Sequence, residues 1–154
     1  MNTVHTLVIA CGNPLRGDDA VGPTAADIVS SWQTPGVKVL TVHQLVPELI
    51  DEMQQVRRVL FIDAATNTDD RAFQSGVVEA KKSRRFFGHC ETAANLLALL
   101  HELGGRTPDA RFVSISALSF DHGKELTESA KSNMQAALVW IRGWLAEALC
   151  TKSA

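Results

Sequence analysis

The fold is decided near the start of the chain, by the run Thr6-Leu7-Val8-Ile9-Ala10-Cys11 and the segment Gly12-Asn13-Pro14-Leu15-Arg16-Gly17-Asp18-Asp19 that follows it. The first run is continuously apolar after its threonine, without alternation, which is typical of a strand buried on both faces. The second is dense in turn-forming residues, and its two aspartates suit the start of a helix. These features predict a strand, a tight turn and then a helix reaching about Trp32.

The same pattern recurs along the chain. Arg58–Ala64 is a second apolar run that ends beside a carboxylate, that of Asp63. Further strands are predicted at Val37–Val42, Gly76–Lys81 and Arg111–Leu118, the last more alternating than the first, with a loop over Thr66–Ser75. Further helices are predicted over Pro47–Val56, Cys90–Leu103 and Thr127–Leu149, the last with an apolar stripe of Met134, Leu138, Ile141, Leu145 and Leu149.

Strands that alternate with helices of about ten residues or more predict an α/β fold with a largely parallel sheet covered on both faces. The charged end of Gly76–Lys81 suits a strand at the sheet edge. With 154 residues and neither a linker nor an internal repeat, the chain is expected to form a single domain over residues 1–154.

Composition narrows the classes of function. The 15 basic and 17 acidic residues give a net charge of -2, and no basic surplus is present for phosphate contacts, so no nucleic-acid partner is expected. No apolar stretch approaches the roughly 18 residues of a membrane span, and Met1–Thr6 lacks the pattern of a signal peptide. We therefore expect a cytoplasmic protein without a membrane contact. Three cysteines without a CxxC pair indicate neither a disulfide framework nor a thiolate zinc site.

Ligand-binding groups of open α/β sheets collect at the carboxyl ends of the strands, where the strand order reverses. This rule places Asn13, Asp18 and Asp19 at the same edge as Asp63. The first loop is not a dinucleotide loop, because the GxGxxG spacing fails and two adjacent carboxylates would repel a pyrophosphate.

Each candidate also has a purely structural interpretation. Asp18 and Asp19 would cap a helix, Asp63 would hold a loop through backbone amides, and His89 would make a local hydrogen bond before the helix that follows it. Together, however, two carboxylates and an imidazole from three separate elements form a mixed oxygen and nitrogen set. Such a set suits a borderline divalent metal with open coordination positions.

Other interpretations of the same neighbourhood are weaker. Cys11 or Cys90 could pair with His89 as a nucleophile, but neighbours in sequence seldom face one another, and Cys11 lies within an apolar strand. His43, His101 and His122 form no paired-ligand spacing, although His43 and His122 are candidate rim groups. The basic run Lys81–Arg85 is a solvated face or a docking site for an acidic surface.

The motifs together resemble the nickel-iron hydrogenase maturation proteases. The matching segments are Gly12-Asn13, Leu15–Pro23, Phe61-Ile62-Asp63-Ala64 and Gly88-His89, in this order over essentially the whole chain. The resemblance implies a three-layer α/β/α domain with a five-stranded mixed sheet. In that sheet the first and third strands would be neighbours, and Gly76–Lys81 would run antiparallel to the rest.

The resemblance also implies a function. Members of the family are endopeptidases that remove a C-terminal extension from the hydrogenase large-subunit precursor after nickel insertion, and the nickel belongs to the substrate. Carried over by motif position, Asp19, Asp63 and His89 are the nickel-binding and catalytic residues. Some members have Glu where Asp19 stands. The water that attacks the peptide bond would be activated by Asp18, Asp19 or Asp63.

Further expectations concern the oligomeric state, the partner and the subgroup of the family. The chain would act as a monomer on the large-subunit precursor, and the alternative is a nickel-sensing chaperone that binds the same precursor without cutting it. Where many members have a glycine-rich turn, this chain has His43–Leu49, with a Gln-Leu-x-Pro-Glu pattern. That departure suggests a subgroup that serves a cytosolic hydrogenase.

Overall fold

A computed structural model describes residues 3–66, 69–81, 92–123 and 125–150. Its strands are β1 (Thr6–Cys11), β2 (Val37–Val42), β3 (Arg58–Ala65), β4 (Phe73–Val77) and β5 (Asp109–Ser116). Its helices are α1 (Val21–Ser31), α2 (Ile50–Met53), α3 (Ala93–Glu102) and α4 (Glu128–Cys150). Short 3-10 turns over Gly17–Ala20 and Pro47–Leu49 lead into α1 and α2.

The strands form one sheet in the order β2-β1-β3-β5-β4. Neighbouring strands are parallel except β4 and β5, which are antiparallel. The predicted α/β fold with one antiparallel edge strand is confirmed, and so is the pairing of the first strand with the third. Because the chain leaves β1 toward β2 on one side and returns to β3 on the other, the strand order reverses between β1 and β3. Their carboxyl ends are the place where this fold class collects ligand groups.

Helices cover both faces of the sheet, which confirms the three layers. On one face, α1 and α4 pack on alternate strand residues such as Val8, Leu60 and Val113. On the other, α2 and α3 pack on residues such as Ile9 and Phe61. Leu7 to Ala10 of β1 are fully buried, and each large aliphatic side chain so buried contributes about 1.5–3 kcal/mol. The predicted contrast with the last strand holds, because β5 alternates between buried and partly exposed positions.

Several predicted element boundaries are wrong. The last strand is Asp109–Ser116 rather than Arg111–Leu118, and the helix predicted over Pro47–Val56 ends at Met53. The edge strand is Phe73–Val77 rather than Gly76–Lys81, so the loop before it is shorter than Thr66–Ser75. Phe73 pairs with Ile115 and packs on the core beneath α1 and α4, whereas Glu79 and Lys81 lie beyond the strand. The first helix begins at Val21, after a 3-10 turn that contains both aspartates.

The last two helices follow the prediction with small differences. Helix α3 begins at Ala93, where the Thr92 side chain accepts a hydrogen bond from the Asn95 amide; Cys90 and Glu91 lie outside the described residues. In α4 the stripe is buried as predicted up to Leu145, but Leu149 is 40% exposed. The last two steps of the stripe, from Ile141 to Leu145 and from Leu145 to Leu149, are four residues long, and each turns about 40° more than one full helical turn. Leu149 is therefore rotated off the buried face, and Ala148 is buried in its place. None of the helices within the described residues is long and apolar enough to cross a membrane.

Candidate functional site

The first loop folds back over the end of β1. Gly12 has a φ of +153°, and a Cβ there would overlap the carbonyl oxygen of Asp19. The Asn13 amide donates to Asp19 Oδ2 at 2.9 Å, and the Asn13 side chain accepts from the Leu15 amide at 2.9 Å. These contacts hold the Asp19 carboxylate beside the carboxyl end of β1, with the rest of its surface partly open to solvent.

Asp18, the residue before Asp19, is fully buried. Its carboxylate accepts hydrogen bonds from the backbone amides of Leu118, Ser119 and Thr127, at 2.9, 3.1 and 2.8 Å, and from the Thr127 hydroxyl at 3.0 Å. Burial raises the pKa of Asp18, but these donors outweigh burial and hold its pKa below the usual range. Asp18 therefore joins the first loop to the segment after β5 and to the start of α4.

This geometry corrects the capping interpretation of the two aspartates. Residue Ala20 stands at the cap of α1 and makes no side-chain cap bond. Thr127 is the capping side chain, and it opens α4 as predicted by accepting from the Ala130 amide at 3.1 Å. Asp18 thus lies at the amino end of α4, not of α1, where the helix dipole favours a negative charge.

Asp63 lies near the carboxyl end of β3, next to β1. Its Oδ1 accepts a hydrogen bond from the Ala64 amide at 2.7 Å. The side chain reaches solvent at one side, but protein atoms crowd the carboxylate on the others. Burial raises the pKa of Asp63 to about 6, against the lowering effect of the Ala64 hydrogen bond, and the negative charge of Asp19 raises it further. The two carboxylates are therefore close enough to repel one another.

Asp19 and Asp63 are two of the three predicted ligands, and the structure brings them to one edge. Each keeps one carboxylate oxygen without a hydrogen bond from the residues that the structure describes. His89, Cys90 and most of the basic run, Lys82–Arg85, lie outside those residues. Within residues 3–66, 69–81, 92–123 and 125–150, no three His, Cys, Asp or Glu side chains are grouped to hold a metal.

A cavity of about 290 Å³ opens beside Asp63, on the sheet face covered by α2 and α3. The Cys11 thiol lines it and donates to the His43 carbonyl oxygen at 3.4 Å. Among the described residues that line this cavity with Cys11, the charged one is Asp63, whereas a nucleophilic thiol needs an electropositive setting. The two candidate rim histidines lie near this edge. His43 is held there by the hydrogen bond from Cys11 to its carbonyl oxygen. His122 precedes Gly123, whose amide donates to the Leu15 carbonyl oxygen in the first loop. His101 lies at the far end of α3.

The residues that the motifs did not reveal are the partners of Asp18 and the lining of the cavity. Leu118 and Ser119 bind Asp18 through their backbone amides, which carry no signal in side-chain chemistry. Ser114 lies opposite Asp63 in the β3–β5 register. The sequence signal for Ser114 is a polar residue in the alternating strand predicted over Arg111–Leu118.

The comparisons with known proteins come from structures alone. No family profile matches the sequence, and no curated protein matches it. Hydrogenase maturating endopeptidase HybD from E. coli aligns over 94% of this chain and 93% of its own, with 20% identity and a TM-score of 0.78. The [NiFe] hydrogenase maturation protease HybD from Thermococcus kodakarensis aligns over 92% and 99%, with 25% identity and a TM-score of 0.71.

A third similar structure is the hydrogenase 2 maturation peptidase from Thaumarchaeota archaeon SCGC_AB-539-E09, with 21% identity, a TM-score of 0.68 and coverage of 92% of this chain and 97% of its own. All three align over nearly the full length of both chains, so the likeness covers every layer of the domain. The resemblance drawn from the motifs is confirmed at the level of the fold: this chain has the fold of the hydrogenase maturation proteases.

Proposed function

We propose that this protein is an endopeptidase that removes the C-terminal extension of a nickel-iron hydrogenase large-subunit precursor after nickel insertion. The three solved structures compared above are named as a hydrogenase maturating endopeptidase, a [NiFe] hydrogenase maturation protease and a hydrogenase 2 maturation peptidase. The observation that carries the proposal is the convergence of Asp19 and Asp63 where the strand order of this fold reverses, with the pKa of Asp63 raised by burial and by Asp19.

The nickel in this proposal is part of the substrate and is held by the precursor. Asp19, Asp63 and His89 would bind it, because two carboxylates and one imidazole suit a borderline divalent ion with open positions. A cation between Asp19 and Asp63 would also relieve the repulsion that raises the pKa of Asp63. Three ligands bind a free ion weakly, so cleavage becomes conditional on a precursor that already carries nickel.

Asp63 is the better placed of the open carboxylates to move a proton. Its second carboxylate oxygen, which no described residue binds, would take a proton from the attacking water and then return it to the leaving amine. Asp19 is fixed by the Asn13 amide and would orient the nickel. Asp18 takes no part, since all its hydrogen-bonding capacity is directed into the protein.

The test compares nickel-loaded and nickel-free precursor, with the product followed by intact-mass spectrometry. Only the loaded precursor should become lighter. Asp19→Asn, Asp63→Asn and His89→Ala should each slow cleavage by about 100-fold or more, the range expected for loss of an acid–base or metal-binding group. Asp27→Asn, on the exposed side of α1, is the matched control and should cleave as wild type does. Wild-type rates in all three site variants would disprove the site.

The second candidate, a nickel-sensing chaperone of the same precursor, makes a different prediction in this experiment. It would bind the loaded precursor without changing its mass. The proposal also places the protein in the cytoplasm as a monomer, with the precursor as its partner; sedimentation of the purified chain tests the oligomeric state.

A further inference from the structure

The cavity beside Asp63 has an order that follows from the strand register. Ile9 pairs with Phe61, and Phe61 pairs with Phe112, so these three apolar side chains form a row across β1, β3 and β5. Paired residues of parallel strands share a face, and all three lie on the face covered by α2 and α3. They form the floor of the cavity.

A second row, of polar side chains, lies two residues further along the same strands. Asp63 of β3 pairs with Ser114 of β5. On β1, Ala10 pairs with Ile62, so the next residue, Cys11, lies level with Asp63 and belongs to the same row. Because side chains alternate between faces, this row points to the same face as the floor but is nearer the carboxyl edge, where Asp19 lies. Leu45, from the segment after β2, and Thr92 and Ala93, at the start of α3, complete the wall.

We propose that this cavity is a specificity pocket that receives an apolar side chain of the precursor from one of the two residues flanking the cleaved bond. The inference rests on the proposed function and adds the chemistry that selects the cleavage point. A peptide lying along the polar row would have its backbone beside Asp63 and its side chain over Ile9, Phe61 and Phe112.

Size and charge support this occupant. A volume of about 290 Å³ is at the lower end for ligand pockets, which suits one side chain better than a cofactor. Among the described residues that line the cavity, the charged one is Asp63, and the floor is apolar. An acidic side chain would be left without a partner against the apolar floor, so the pocket favours apolar side chains over acidic ones.

The experiment uses nickel-loaded precursors in which each residue flanking the cleaved bond is changed in turn to Ala, Leu, Phe or Asp, and it compares kcat/KM. At one of the two positions, wild type should prefer Leu over Asp by about tenfold or more. Ala93→Leu narrows the pocket and should lower the preference for Leu over Ala about tenfold. Leu45→Ala widens it and should raise the preference for Phe over Leu by a similar factor.

The matched control is Leu103→Ala, because Leu103 lies at the other end of α3 and is 67% exposed. This variant should keep the wild-type preferences. Circular dichroism establishes that each variant is folded. Unchanged preferences in both Ala93→Leu and Leu45→Ala, with cleavage intact, would overturn the pocket assignment and leave the proposed function standing.

A binding measurement tests the apolar pocket independently of the endopeptidase activity. N-acetyl-leucine amide should shift the NMR signals of Ile9, Phe61 and Phe112, and N-acetyl-aspartate amide should not. If these shifts occur but no precursor is cut, the endopeptidase proposal fails and the apolar pocket stands. If the leucine amide leaves the three signals unmoved, the pocket assignment is wrong, whatever the outcome of the cleavage assay.

Discussion

Asp18 and Asp63 are both crowded by protein atoms beside the carboxyl edge of the sheet, yet their pKa values move in opposite directions. Burial alone would raise both. Asp18 accepts four hydrogen bonds, and its pKa falls below the usual range. Asp63 accepts one backbone bond and lies near the charge of Asp19, and its pKa rises to about 6. The pKa of each carboxylate therefore follows from the balance between burial, which raises it, and hydrogen-bond donors, which lower it.

The two adjacent aspartates of the first loop therefore have different roles. The hydrogen bonds of Asp18, which we call the Asp18 joint, fix the first loop against the segment after β5. Gly17, with φ of +51°, brings the loop so close that a Cβ there would lie 2.8 Å from the Ser119 carbonyl oxygen. Asp19, the next residue, is thereby held facing Asp63. The Asp18 joint thus holds the loop in the position that keeps the carboxylates of Asp19 and Asp63 near one another despite their repulsion.

The largest effect on stability is expected for Asp18→Ala. The change leaves three backbone amides and the Thr127 hydroxyl without their acceptor in a buried place, so the free energy of unfolding should fall by about 3–5 kcal/mol. Urea unfolding followed by circular dichroism measures it. Asp27→Ala, on the exposed side of α1, should change stability by less than about 0.5 kcal/mol. Equal effects would contradict the structural role of Asp18.

The stability that the Asp18 joint contributes should also depend on pH. Because the pKa of Asp18 is lower in the folded chain than in the unfolded chain, its contribution is present above about pH 4 and is lost as the pH falls through the folded pKa. Wild type should therefore lose stability relative to Asp18→Ala in acid.

A smaller loss is expected for Thr127→Val. The variant keeps the backbone amide that donates to Asp18 but lacks the hydroxyl, which donates to Asp18 and also accepts from the Ala130 amide. The free energy of unfolding should fall by about 1–2 kcal/mol. Thr127→Ser keeps both hydrogen bonds and should recover most of that loss in the same urea assay. A Ser variant as unstable as the Val variant would show that packing, not the hydroxyl, matters here.

The smallest effect, with the opposite sign, is expected for Asp63→Asn. A folded pKa of about 6 means that the folded chain holds a proton that the unfolded chain has released, so wild-type stability falls between about pH 4 and pH 6 and then levels off. The Asn variant lacks this penalty and should be more stable than wild type by about 1 kcal/mol at neutral pH, allowing for solvent screening. The gain should vanish below about pH 4. Thermal unfolding across this pH range tests the sign.

Much of the fold follows from the sequence because its strongest signals are physical necessities. The run Thr6–Cys11 is too apolar to lie anywhere except the middle of a sheet, and Thr127 is a strong cap for the helix that follows. The rule for open α/β sheets also predicts that Asp19 and Asp63 share an edge. The edge strand differs from its predicted position because Phe73 follows a polar stretch, and its burial depends on distant residues, including its partner Ile115.

The roles of the two adjacent aspartates could not be read from the sequence. Asp18 and Asp19 have the same chemistry, and their difference arises from backbone amides about 100 positions away in the chain. Such donors are invisible in side-chain patterns. The cavity was missed for a similar reason, since its floor and its polar row depend on a register that joins three strands.

The most direct measurement is a titration of the aspartate carboxyl carbons by NMR, with Asp18 and Asp63 assigned through the Asn variants. Asp63 should titrate with a midpoint near pH 6, and Asp18 below the usual range for aspartate. In Asp19→Asn the Asp63 midpoint should fall, because the neighbouring charge is gone. Midpoints that coincide near the ordinary value, or an Asp63 midpoint that does not respond to Asp19→Asn, would contradict the opposite environments described for the two carboxylates.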